Sequence, residues 1–273
     1  MEHIQRAIEK ARHEREGAIG QKTGEINNNS PLSTQSENQR NSYNAAVAVE
    51  YSSTRRITIS DAELKERNIF AGFAHDPRSE PYRQLRSQVL KKMRAENWQT
   101  LAITSPTAGN GKTLTALNLA ISLSQEVNQT VLLVDLDLRA PGVAAALGIQ
   151  SVEHGIVDCV TSKIPLDEIL INPGYNRLVI APGTPQGHQT SEILSSPQMQ
   201  TLQAELKGRY ADRLIIYDLP ALLTSDDALV FAPHADAVLL VLEDGGASES
   251  ELKQAMKLLE GTSILGTVIN KHR

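Results

Sequence analysis

The sequence predicts an α/β fold, a mostly parallel sheet flanked by helices on both faces. Short continuous apolar runs, the mark of strands buried on both sides, alternate with stretches of helical periodicity. The first core run, Thr100–Thr104, passes through a glycine-rich loop into a helix opening at Lys112. Two other runs end in carboxylates, Asp135 and Asp218. In parallel sheets, ligands bind at the carboxyl ends of strands, where such groups would meet.

The elements follow in order along the 273 residues. Met1 to Glu16 places Ile4, Ala7, Ile8 and Ala11 at helical spacing among four basic and four acidic residues. This reads as a narrow amphipathic helix over 1–16, either solvated or docked on a partner. Residues 17–56 are dominated by Asn, Ser and Gln, from Asn27-Asn28-Asn29 to Asn44. Such a stretch buries too little to offset its ordering entropy and reads as a flexible linker. The globular domain is expected over 57–273. Glu80–Ala95 forms a helix with Leu85, Val89, Leu90 and Met93 on one side. The strands are Thr100–Thr104, Val131–Asp135, Leu178–Ala181, Leu214–Asp218, Ala237–Leu242 and Ile264–Ile269. The helices between them are Lys112–Glu126, Gln198–Arg209, Asp226–Phe231 and Ser248–Glu260.

Composition excludes several classes. A net charge of −5 argues against a general nucleic-acid binder. A single cysteine, Cys159, excludes an intramolecular disulfide framework and a cysteine-based zinc site, and it reads as a small core residue. No apolar run is long enough to span a membrane and no secretory h-region opens the chain, so the expectation is a cytoplasmic protein.

The strongest motif is Ser105-Pro-Thr-Ala-Gly-Asn-Gly-Lys-Thr113. Its strand–loop–helix setting is that of a phosphate-binding P-loop. Gly109 and Gly111 let backbone N–H groups turn inward around phosphate oxygens, and the helix N-terminus adds partial positive charge. Lys112 reaches the outer phosphates and the Thr113 hydroxyl suits Mg²⁺. The nucleotide-binding set is Ala108, Gly109, Asn110, Gly111, Lys112, Thr113 and Leu114. Pro106 stands where the common pattern has its first glycine. Leu114 replaces the third glycine of a dinucleotide fingerprint, which excludes that reading.

Asp135 and Asp137, two residues apart at a strand end, can face the same side beside the phosphates. Asp218 ends the strand before Pro220, a position that commonly holds Mg²⁺ through water. Asp226 and Asp227 read either as nucleotide sensors or, for one of them, as the cap of the next helix.

These residues together resemble the bacterial tyrosine kinases of capsule and exopolysaccharide loci, most of all the tyrosine autokinases of exosortase-linked systems. The resemblance covers about Asp76 to Asn270. It includes the P-loop, the Asp135-x-Asp137-x-Arg139 and Asp218-x-Pro220 motifs, and Glu80-x-x-Arg83-x-x-Arg86 on the helix before the first core strand. It implies a P-loop fold of the deviant Walker type, as in ParA and MinD. It implies ATP and Mg²⁺ as cofactors, with Lys112, Asp135 and Asp137 catalytic, Asp135 accepting the tyrosine proton, and Thr113, Asp137 and Asp218 at the metal. It also implies a base contact by Asn270, which otherwise reads as a strand-terminating Asn. Glu80, Arg83 and Arg86 become oligomer contacts; alone they read as a surface ion pair. The implied partner is the cytoplasmic tail of a membrane polysaccharide copolymerase, which would recruit the chain to the inner face of the plasma membrane.

Thr107 stands where ParA and MinD proteins have a second lysine, which favours the kinase branch. Against the family pattern, no tyrosine cluster follows Asn270, and the last tyrosine is Tyr217 in an expected buried strand. Tyr43 and Tyr51 are then the candidate phosphoacceptors. The alternatives are another protein as acceptor, or a nucleotide-gated assembly ATPase with little kinase activity.

Overall fold

The computed structural model describes residues 54–187, 189–209 and 212–271. The helix expected at 1–16, nearly all of the linker expected at 17–56, and Tyr43 and Tyr51 lie outside the described residues. The strands are β1 (Arg55–Arg56), β2 (Thr100–Thr104), β3 (Thr130–Asp135), β4 (Ile171–Asn172), β5 (Leu178–Ala181), β6 (Arg213–Asp218), β7 (Ala237–Glu243) and β8 (Ile264–Asn270). The α-helices are α1 (Asp61–Glu66), α2 (Glu80–Ala95), α3 (Lys112–Ser124), α4 (Val143–Ala146), α5 (Ile156–Thr161), α6 (Leu166–Ile169), α7 (Thr190–Ser195), α8 (Pro197–Gly208), α9 (Asp227–Phe231) and α10 (Glu249–Leu258).

The strands form one sheet in the order β1-β4-β5-β3-β6-β2-β7-β8. All neighbours run parallel except β4 and β5, which meet antiparallel at Ile171 and Ile180. Every residue of β2, β3, β5 and β6 is buried, so both faces of the central sheet are covered. Successive residues serve opposite faces, as strand geometry requires. Leu101, Ile103, Val131, Leu133, Leu214 and Ile216 join the cluster under α2 and α3. Ala102, Leu132, Val134, Ile215 and Tyr217 join the cluster under α5, α8, α9 and α10.

Helix α3 is buried almost all round, from Thr115 through Ser124. A polar residue inside such a helix must be satisfied, and Asn118 is. Its Oδ1 accepts from the N–H groups of Phe70 (2.8 Å) and Ala71 (3.0 Å), and its Nδ2 donates to the carbonyls of Asn68 and Leu114. The helix that carries the P-loop lysine is thereby fixed to the segment entering α2.

At the opposite end of the sheet, Asp236 gathers the N–H groups of Gln99 and Thr100, the Thr100 hydroxyl and the Lys207 ammonium, each at 2.8 Å. Asp236→Ala strips a charged acceptor from four donors at once. We expect it to cost about 3 kcal/mol of stability, read as a lower urea midpoint with an unchanged slope.

Tyr217 is 1% exposed, with its ring edge-on to Phe231 at 4.8 Å. Among the described residues its hydroxyl has no hydrogen-bond partner, and burial holds its pKa above the usual tyrosine value. It cannot present itself for modification, as the sequence anticipated. Tyr217→Phe is expected to leave stability unchanged or to raise it by up to about 1 kcal/mol, since an unsatisfied buried hydroxyl is removed. Thermal unfolding of the two proteins checks this.

Candidate nucleotide and phosphotransfer site

The site lies at the carboxyl ends of β2, β3, β6 and β7. The chain leaving β2 is held by the segment leaving β6. The N–H groups of Leu222 and Leu223 bond the carbonyls of Ser105 (2.8 Å) and Pro106 (3.0 Å), and the Thr104 hydroxyl bonds the Pro220 carbonyl. The loop between is shaped by two left-handed glycines, Gly109 at φ +85° and Gly111 at φ +84°. A Cβ on Gly109 would meet open space, so it is the left-handed backbone and not crowding that calls for glycine there. A Cβ on Gly111 would collide with Nδ2 of Asn270. Gly111 then opens α3, which directs the helix N-terminus at the cradle.

Lys112 and three carboxylates converge here. Lys112 Nζ lies 2.7 Å from Asp137 Oδ2 and 3.4 Å from the Thr113 hydroxyl. The paired side chains are only 13% and 11% exposed, so water screens the contact little. Burial works against the Lys112 ammonium. Asp218, Asp137 and Asp135 outweigh it and hold its pKa above the ordinary lysine value. Asp135 and Asp218 pair in register on adjacent strands. Asp135 is fully buried, its Oδ2 accepting from Val143 N–H (2.9 Å) and its Oδ1 from Asp137 N–H (3.2 Å). Burial and then the Asp218 charge push its pKa up to about 7. Burial pushes Asp218 up to about 6, against the opposing pull of Lys112 and the Thr113 hydroxyl.

The donor set suits a nucleotide with a divalent cation. Among the described residues, both Asp218 oxygens are buried without a hydrogen bond of ordinary geometry, beside Lys112 and Thr113. Among the described residues no three His, Cys, Asp or Glu side chains form a metal cage of their own. Mg²⁺ needs none, since it takes one or two carboxylates, a hydroxyl and phosphate oxygens.

The carboxylate pair also sets a pH dependence. Raised carboxyl pKa values mean that the folded chain holds more protons than the unfolded one between about pH 4 and about pH 7, so stability falls as pH rises through that window. Asp135→Asn removes one of these two groups and leaves Asp218, raised by burial, as the other. We expect the variant to lose less stability than the parent between about pH 5 and about pH 7.5 in urea unfolding. Equal slopes would contradict this reading.

Other expected residues are placed differently. The reading of Asp226 or Asp227 as a helix cap is met in position only. Asp226 stands at the N-cap of α9 in helical conformation, with no capping bond from its side chain. Asp227 is fully buried and accepts from Arg139 Nε (2.9 Å) and from the Thr190 hydroxyl (2.9 Å). Arg139 thus ties the segment after β3 to the starts of α7 and α9. The Thr190–Asp227 pair was not read from sequence. Its members lie 37 residues apart, and no local pattern joins them.

On α2, Glu80 and Arg83 form an exposed i,i+3 ion pair at 2.6 Å. Arg86 turns inward instead. It is 18% exposed and donates to the Ser122 carbonyl (3.1 Å) at the end of α3, with Glu126 3.1 Å away. Asn270, at the end of β8, donates from Nδ2 to the Asn110 carbonyl (3.0 Å). The outer end of the loop therefore meets the sheet edge where a base contact was expected. Cys159 packs against the core partly buried, and burial pushes its thiol pKa up to about 11.

Residues 101–273 match the family described as the CobQ/CobB/MinD/ParA nucleotide binding domain. The chain belongs to that family. Within it, the likeness is to bacterial tyrosine kinases. Tyrosine-protein kinase YwqD of Bacillus subtilis (strain 168) is 28% identical over 194 residues, which are 70% of this chain and 80% of that protein. The kinase domain of the Escherichia coli tyrosine kinase ETK superposes with a TM-score of 0.68 at 27% identity, covering 79% of this chain and 88% of that one. Succinoglycan biosynthesis transport protein ExoP of Rhizobium meliloti (strain 1021) is 30% identical over 178 residues, 63% of this chain but 22% of the larger protein.

Proposed function

We propose that the chain is an ATP- and Mg²⁺-dependent protein-tyrosine autokinase that regulates exopolysaccharide polymerisation and export. The observation that carries this is the convergence of Lys112, Asp135, Asp137 and Asp218 on a glycine loop. The kinase relatives and the ExoP name support the reaction and its setting.

The N–H groups of Ala108 to Leu114 and the Lys112 ammonium would bind the phosphates and stabilise charge spreading on the transferred group. Thr113, Asp137 and Asp218 would hold Mg²⁺, which when bound neutralises phosphate charge. The acceptor phenol oxygen bonds to the γ-phosphorus as the bond to ADP breaks. A phenol loses its proton only near pH 10 unaided, so the proton needs an acceptor. Asp135, whose carboxyl pKa is pushed up to about 7, is a stronger base than an ordinary carboxylate. Asn270 would contact the base.

Tyr43 and Tyr51 are the proposed acceptors. Glu80 and Arg83, exposed on α2, are the proposed contacts between copies, with Arg86 buttressing the helix from within. The activating partner would be the cytoplasmic tail of a membrane polysaccharide copolymerase. Among the described residues no helix is long and apolar enough to cross a membrane, so the partner would bring the chain to the inner face of the plasma membrane.

The test is transfer of labelled γ-phosphate from ATP, with and without Mg²⁺ and with the tail added. Tyrosine label that requires Mg²⁺ and rises with the tail is expected. ATP hydrolysis without labelled tyrosine would replace this reading with a nucleotide-gated assembly ATPase.

A further inference from the structure

We propose that Asn110 is a positioning residue that couples the base end of the nucleotide site to its phosphate loop. The inference rests on the nucleotide reading above. Asn110 sits in the loop but is only 1% exposed, because its side chain points into the protein. Its Nδ2 donates to the Thr107 carbonyl (2.7 Å) and hydroxyl (2.9 Å), which folds the loop on itself. Its Oδ1 accepts the N–H of Glu243 (2.7 Å), the last residue of β7. Its own carbonyl accepts from Asn270 Nδ2 at the end of β8. Glu243 and Asn270 pair in register, Asp244 N–H bonds the Asn270 carbonyl (3.0 Å), and Lys271 reaches the Glu243 carboxylate (3.1 Å).

One residue of the loop is therefore stitched to two strand ends, 133 and 160 residues away in sequence. An asparagine amide has two N–H donors and an acceptor oxygen. Asn270 spends one donor on the loop and keeps Oδ1 and the second N–H, a donor–acceptor pair that matches the edge of adenine. Because that amide is held by the Asn110 carbonyl, its direction and the direction of the next N–H groups, at Gly111 and Lys112, move together. A ligand that fixes one end fixes the other.

The consequence is a crossed effect. Asn270 should matter to a ligand that has no base, and Asn110 to the choice of base it does not touch. The experiment measures affinities of the full chain for tripolyphosphate, ATP and GTP in the parent, Asn110→Ala and Asn270→Ala proteins, with melting temperatures alongside. Losing one such bond is expected to weaken tripolyphosphate about fivefold in Asn270→Ala, and to shrink the ATP-over-GTP preference about fivefold in Asn110→Ala. Either crossed effect supports the coupling. A lower melting temperature with tripolyphosphate affinity and base preference both unchanged makes Asn110 a structural tie only and overturns it. If Asn110→Ala does not fold, Asn270→Ala, at a partly exposed strand end, decides alone by its tripolyphosphate affinity. A parent chain that binds none of the three ligands refutes the site reading itself, a different result from binding without crossed effects.

Discussion

Lys112→Ala is expected to lower tyrosine phosphotransfer by at least about 100-fold, the scale of losing one preorganised donor at a centre of developing charge. The ammonium faces Asp137 at 2.7 Å and is held charged by three carboxylates. No neutral side chain can replace that field. The fold should survive, because Lys112 stands at the first position of α3 and the helix is anchored by Thr115 through Ser124, not by its first residue. Circular dichroism should stay close to that of the parent, with a lower melting temperature because Asp137 loses its counter-ion, while product formation is lost. Undiminished phosphotransfer would remove Lys112 from the chemistry and the P-loop reading with it.

Asp137→Asn should change sign with the metal. Lys112 is already engaged when a nucleotide arrives, since its Nζ bonds Asp137 Oδ2. Without metal, phosphate must compete with that carboxylate. A hydrogen bond to a charged group is worth about 1.5–3 kcal/mol, so releasing Lys112 should tighten ADP binding about tenfold in chelator. With Mg²⁺ the same substitution removes a proposed metal ligand, and the gain in affinity on adding Mg²⁺ should shrink or vanish. Phosphotransfer should fall by at least about 100-fold. Calorimetric titration of ADP with chelator and with Mg²⁺ reads both arms. Weaker binding under both conditions would show that the ion pair does not compete with the nucleotide.

The parts legible in sequence are those whose signal is local and repeated. Thr100–Thr104, Leu178–Ala181 and Glu80–Ala95 match their expected bounds, and the other strands and helices expected within the described residues are displaced by at most two residues at an end. Each is an apolar run or a stripe long enough to show its period. The two-residue strands β1 and β4 and the four-residue helices α4 and α6 are too short for that, and so is the antiparallel meeting of β4 with β5. Strand β1 lies just ahead of the expected start of the domain at residue 57.

The site divides in the same way. Gly109, Gly111, Lys112 and Thr113 are adjacent in sequence, so the loop is read directly. Asp135 and Asp218 are read because parallel strands bring their ends to one rim. The brackets that hold these groups are not legible. Asp227 with Arg139, Glu243 with Asn110, and Asp236 with Thr100 are each more than 80 residues apart. Nothing in the residue types distinguishes them from ordinary caps and turns. Arg86 shows the converse, a motif position whose spacing put it on an outer face and whose length lets it reach inward to α3.

The central claim is transfer of a phosphoryl group to tyrosine, and mapping the modified residues tests it most directly. The full chain and its Lys112→Ala variant would be incubated with Mg²⁺-ATP and the partner's cytoplasmic tail, then analysed by peptide mass spectrometry. Phosphotyrosine at Tyr43 or Tyr51 in the parent, absent from the variant and absent from Tyr217 in both, is the predicted result. A parent chain that binds nucleotide yet carries no phosphotyrosine, on itself or on the tail, would contradict the account.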